Sequence, residues 1–121
     1  MTAPIRHIPR DAPRATRTLP LRDLAPGGVW EHTTGPLVDA DRMVIHIAHS
    51  VVAWWSATPD GPAIDPALRV RARGTLPEQR WVVRMYVTDM LRLLTPSIGH
   101  VVYLRVVCAG VAHVSIPFTI T

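Results

Sequence analysis

At 121 residues, 48% of them hydrophobic and 18% charged, the chain has the length of one domain and is too apolar for a disordered polymer. It contains no uncharged apolar run of about 18 residues, which excludes a membrane-spanning helix. The formal net charge is +4 and all 13 basic residues are arginine. That side chain is a permanently charged planar fork suited to carboxylates, phosphates and interface pairs, although a GC-rich coding bias produces the same composition without any function.

Residues 1–40 hold Pro4, Pro9, Pro13, Pro20, Pro26 and Pro36 together with the Gly27-Gly28 pair. Proline fixes φ and removes a donor, so this stretch is expected to be extended, a Pro/Arg-rich arm outside the folded domain. Its arginines are not followed by the continuous apolar segment of a secretory signal, and Asp11, Asp23 and the prolines disagree with an amphipathic presequence helix. Cytoplasmic residence is the default expectation. Arg6, Arg10, Arg14, Arg17 and Arg22 against Asp11 and Asp23 put a net charge of +3 in the first 26 residues. Ile5, Ile8, Leu19, Leu21, Leu24, Val29 and Trp30 punctuate the arm too often for an entropic linker. Anchors of this kind suggest a strap lying across another surface, its own domain or a neighbour.

From Asp41 onward the texture changes to β-branched and aromatic runs bounded by turn signals, the pattern of strands. Met43 to Trp55 reads as one bent strand or two short ones, ending at the turn Thr58-Pro59-Asp60-Gly61-Pro62. Within that run Trp54 and Trp55 must point to opposite faces; the first is expected in the core and the second at the surface as an interface anchor. Leu68 to Arg73 alternates, with Leu68, Val70 and Ala72 on one face and Arg69, Arg71 and Arg73 on the other. Arg80 to Thr88 puts Trp81, Val83, Met85 and Val87 on one side and Arg80, Val82, Arg84, Tyr86 and Thr88 on the other. Asp89 to Leu94 fits a helical turn or a strand end equally well.

Val101 to Cys108 is nearly continuous in β-branched residues, as in a central strand buried on both faces. Val111 to Thr121 alternates again, and Pro117 on its polar face places it at a sheet edge or on a bulge. These elements predict an all-β fold, an antiparallel β-sandwich or jelly roll over residues 41–121, with the extended N-terminal arm over residues 1–40.

No catalytic or metal constellation emerges. Cys108 is the only cysteine, so an internal disulfide is excluded and a thiolate zinc site lacks ligands; a small buried hydrophobe is expected. His46 and His49 would align on a helix, but on a strand an odd separation splits them between faces. His32, His100 and His113 have no acid or thiol at ligand spacing. Ser50, Ser56, Ser97 and Ser115 lack a nucleophile-elbow context, no carboxylate pair stands out, and no glycine-rich loop could cradle a phosphate. The reading is therefore of a non-enzyme without cofactor or metal. Arm arginines and the Arg69/Arg71/Arg73 stripe could neutralise phosphates, which keeps a small basic nucleic-acid-binding β domain as an alternative; a solvated face or one side of a protein interface explains the same stripe.

An extended arm followed by an all-β domain ending in Val114-x-Ile116-Pro117-Phe118-Thr119-Ile120 resembles the small structural proteins of tailed-bacteriophage virions, above all capsid decoration or cement proteins. The likeness is one of architecture and implies a non-enzymatic virion component, homo-oligomeric, with major capsid or other virion subunits as partners. In that case Ile5, Ile8, Leu19, Leu21, Leu24 and Trp30 would strap across neighbours while Arg6, Arg10, Arg14, Arg17 and Arg22 pair with acidic surface. Trp55, Arg69, Arg71 and Arg73 would add an interface on the domain. Removal of residues 1–26 would then leave the domain folded. A tail or head–tail adaptor component is the nearest alternative role.

Overall fold

The computed structural model describes residues 16–33, 51–75, 80–108 and 112–121. Among these residues seven strands and one α-helix follow in the order β1 (Arg17–Leu19), β2 (Val29–Thr33), β3 (Val51–Ser56), β4 (Arg71–Thr75), β5 (Arg80–Tyr86), α1 (Val87–Leu94), β6 (Val101–Cys108) and β7 (Ala112–Ile120). They form a four-stranded sheet of order β1-β7-β6-β3 and a three-stranded sheet of order β2-β5-β4. All pairings are antiparallel except that of β1 with β7, which is parallel. The fold is thus the expected all-β sandwich.

Strict alternation builds the core. Ala53 and Trp55 of β3, Val102, Leu104 and Val106 of β6, and Val114, Ile116, Phe118 and Ile120 of β7 are buried on one side of the larger sheet. Trp81, Val83 and Met85 of β5 are buried on the facing side of the smaller one. Trp30 and His32 of β2 join Trp55 and Phe118 in an aromatic cluster between the sheets, with ring centroids 5.3 to 6.2 Å apart, mostly tilted or edge-on as ring quadrupoles favour. An isolated bridge from Ala53 to Val70 links the two sheets along one edge.

The chain leaves β5 at Tyr86, two residues earlier than alternation suggests. Val87 starts α1, whose Met90, Leu93 and Leu94 enter the core with it, while Asp89 sits in the first turn where the helix dipole favours an acid. Leucine and methionine are good helix formers, and burial of one face decides the local ambiguity. Thr95 donates its hydroxyl back to the Leu91 carbonyl, and Gly99, at φ +89°, turns the chain into β6. The Gly99 amide then donates to the Ile120 carbonyl at 2.7 Å, tying this turn to the end of β7.

Three sequence expectations are corrected. The arm does not extend to residue 40 as a separate piece, because β1 and β2 belong to the two sheets and Leu19 and Leu21 are core residues, each 5% exposed. The strap reading holds over residues 16–33 only in the sense that the chain lies across its own domain. Second, β7 is interior to its sheet rather than at an edge. Its proline is accommodated because β1 runs alongside Phe118 to Ile120 and no farther, so Pro117 lies just outside that ladder. Third, β4 begins at Arg71 rather than at Leu68, so Arg69 precedes the strand; β6 is central as expected, with the outward Arg105 buried as well as the inward residues and its first residue, Val101, 40% exposed.

Candidate interaction surface

The outward face of the three-stranded sheet gathers most of the described arginines that lack structural work. In the register of β4, β5 and β2, Arg71 stands opposite Arg84 and Arg84 stands opposite Glu31, forming one row across three strands. The next row is Arg73, Val82 and Thr33, and Tyr86 opposes Val29 on the other side. Directly opposed side chains leave the sheet about 4.5–5.5 Å apart, so each row is a set of touching neighbours. Arg84 Nε meets Glu31 Oε2 at 2.7 Å. Arg69, Arg71 and Arg73 are exposed and have no ion pair among the described residues.

Beside these rows lies an open cleft of about 380 Å³ lined by Val29, Leu68, Arg69, Arg71, Arg84 and Tyr86, with Ala67, Met85 and Asp89 completing its wall. Val29 and Tyr86 are 48% and 57% exposed and lie beside three guanidinium groups in this cleft. The arrangement can accept an anion between Arg69, Arg71 and Arg84 and an apolar group against Val29, Leu68 and Tyr86. Bidentate guanidinium binding of a carboxylate or phosphate needs no further chemistry.

A second polar cluster on the larger sheet is spent internally. Arg105, only 9% exposed, donates from Nε to Ser115 Oγ at 3.3 Å and from Nη1 to the Gly61 carbonyl at 3.0 Å. Trp54 Nε1 donates to that same carbonyl at 3.0 Å, Ser115 donates to the Pro59 carbonyl, and the guanidinium carbon lies 5.1 Å from the Trp54 ring centre. Together they clamp the turn at residues 57–62 onto the sheet. A β-carbon at Gly61 would run into Thr58 Oγ1 and lie 3.0 Å from Ser56 Oγ, so a larger residue there requires these two side chains to turn aside.

The sequence-derived candidates are distributed as follows. Ile5, Arg6, Ile8, Arg10 and Arg14 lie outside the described residues, as do His46 and His49. Arg17 and Arg22 are exposed, Arg22 within 4.0 Å of its neighbour Asp23. Leu19, Leu21, Leu24 and Trp30 pack in or against this chain's own core and are not available as anchors for a neighbour. Trp55 is 1% exposed and is no surface anchor; Trp54 takes the outward position, because β3 is paired so that Ala53 and Trp55 face inward. Arg71 and Arg73 do share one exposed face of β4, and Arg69, exposed and just ahead of the strand, lines the cleft with Arg71. Arg84 and Tyr86 were legible as the polar side of their strand, but the role of Glu31, Val29 and the cleft depends on strand pairing that alternation does not reveal.

Among the described residues no group of three or more His, Cys, Asp or Glu side chains could hold a metal ion, and no helix is long and apolar enough to cross a membrane. No protein-family model, curated protein or solved structure matches the chain.

Proposed function

We propose that this protein is a non-enzymatic assembly module, a small structural protein of a tailed-bacteriophage particle of the decoration or cement type, that seats on neighbouring virion subunits through the outer face of its three-stranded sheet. The single observation that carries this reading is the Arg71–Arg84 row with Arg69 and Arg73 beside it and an exposed apolar cleft between them. A face of this kind suits an acidic protein surface that also offers apolar side chains. Arg6, Arg10 and Arg14 add basic charge ahead of the domain. One such contact is weak, but copies arrayed on a lattice bind together by multivalency.

A nucleic-acid partner is the less favoured reading, because Glu31 and Asp89 place carboxylates beside the arginines where a phosphate backbone would have to run. The test is mass spectrometry of purified particles from cells carrying the gene, followed by the double substitution Arg71→Glu and Arg73→Glu. The chain is expected in the particle, and the substituted chain is expected to be lost from it while remaining folded. Absence of the unaltered chain from particles overturns the virion reading; retention of the substituted chain overturns the docking face.

A further inference from the structure

Resting on the reading of this face as a docking surface, we infer that the cleft takes a carboxylate side chain from an extended acidic segment of a protein partner, and that Glu31 is an internal competitor for it. Arg71 and Arg84 oppose each other directly, so two like charges are held side by side. Such a pair is unfavourable in the free protein. Glu31 relieves it from one side only, at 2.7 Å from Arg84, and half of each of these two side chains remains accessible (56% for Arg84 and 50% for Glu31). The opposite side of Arg84 faces Arg71 and the cleft, with Arg69 on the same wall.

A carboxylate entering there bridges Arg71 and Arg84 and converts a repulsion into two attractions. It does so against Glu31, which already holds Arg84 Nε. The apolar part of the wall, Val29, Leu68 and Tyr86, lies within the same cleft and suits an aliphatic residue next to the acid in an extended segment. A polyphosphate chain would satisfy the arginines but would leave this apolar wall uncovered. The charge pattern therefore favours discrete carboxylates spaced by apolar residues.

The experiment measures binding of a fluorescently labelled peptide alternating glutamate with leucine to the full chain by anisotropy, with a glutamine–leucine peptide and a single-stranded oligothymidylate as comparison probes. The glutamate peptide is expected to bind, and the glutamine peptide to bind far more weakly. Arg71→Gln is expected to weaken the glutamate peptide roughly tenfold, a loss suited to a guanidinium in direct contact with a carboxylate. Glu31→Gln is expected to tighten it roughly two- to fivefold, the range of an exposed ion pair removed from competition. Both residues are exposed, and circular dichroism of each variant checks that the fold is kept.

Unchanged or weakened binding in Glu31→Gln overturns the competitor role. Equal binding of the two peptides, or displacement of the glutamate peptide by the oligothymidylate at equal concentration, overturns the carboxylate assignment. These outcomes are separate from particle incorporation: a chain that binds the peptide in this pattern yet enters particles despite Arg71→Glu and Arg73→Glu keeps the cleft inference and loses the docking face.

Discussion

Arg71 and Arg84 face each other across β4 and β5, and the only carboxylate meeting either of them among the described residues is Glu31, on the far side of Arg84. A free protein thus carries a like-charge pair on the outer face of its three-stranded sheet. Replacing Arg71 with threonine removes the repulsion and supplies a β-branched residue suited to a strand. Arg71→Thr is expected to raise stability by about 0.2–1 kcal/mol, read as a higher urea midpoint at unchanged slope. A gain in stability coupled to a loss of peptide binding is the signature of a residue kept for recognition; a loss of stability would mean that Arg71 has a structural partner.

Leu19 and Leu21 flank Pro20 in a segment that looks like a tail by composition and is core by position. The Leu21 amide donates to the Thr121 carbonyl at 2.9 Å, and the Thr121 amide to the Leu19 carbonyl at 3.1 Å, so the segment is stitched to the other end of the described chain. Leu19→Ala or Leu21→Ala is expected to cost about 2–5 kcal/mol, as for other buried leucines. Deleting residues 1–26 removes β1 together with both leucines and Leu24. It is expected to leave a chain without a cooperative thermal transition, contrary to what an independent arm would allow. A deletion variant that still melts cooperatively near the parent temperature would restore the arm.

This difference between composition and position explains what the sequence made legible. Strands β5 and β7 follow from alternation because one face of each is buried and period two is then imposed on the residues, and β6 follows from its continuous β-branched run. The pairing of β1 with β7 is a contact of 3 residues between segments about a hundred positions apart, and prolines on both sides of Leu19–Leu21 hide it. The Arg69/Arg71/Arg73 stripe was visible for the same reason as the strands. Its meaning was not, because Arg71 and Arg73 become part of a site only when register sets Arg84 and Glu31 beside them, and Arg69 precedes β4 and joins them through the cleft wall. Trp54 and Trp55 show the limit of parity: alternation says that the rings diverge, and the contacts of β3 with β6 choose which enters the core.

The clamp made by Arg105 yields another expectation. Its guanidinium supplies two hydrogen bonds to the larger sheet and its covering turn and packs on Trp54, and removing it leaves the Gly61 carbonyl with Trp54 as its remaining described donor. Arg105→Met fills similar volume without donors and is expected to destabilise the protein by about 1–3 kcal/mol. Arg105→Lys keeps the charge but loses the planar fork that reaches Ser115 and Gly61 together, so it is expected to recover only part of the loss. Denaturation midpoints of the two variants test this ordering, and limited proteolysis should cut the turn at residues 57–62 faster in both. A fully stable methionine variant with an uncut turn would show that the clamp does not hold the turn.

The last expectation concerns pH. His32 lies on the inner face of β2, stacked 5.8 Å from Trp30 and edge-on to Phe118, with its Nε2 buried and without a hydrogen-bond partner. Burial pushes its basicity below the ordinary value of 6.5, and the Arg17 charge on β1 pushes it the same way. The unfolded chain therefore binds a proton at His32 more readily than the folded one. By linkage, stability is unaffected by this group well above pH 6.5, falls as the pH drops through that value, and levels off once the folded form is protonated as well. Replacing His32 by phenylalanine keeps a ring against Trp30 and Phe118 and removes the titration. Urea midpoints taken from neutral to mildly acid pH are expected to decline less steeply in His32→Phe than in the parent, and Arg17→Gln is expected to flatten the parent curve in part. Identical slopes in the parent and His32→Phe would place the acid sensitivity elsewhere, whereas a flattened slope assigns that share of it to the buried imidazole between Trp30 and Phe118.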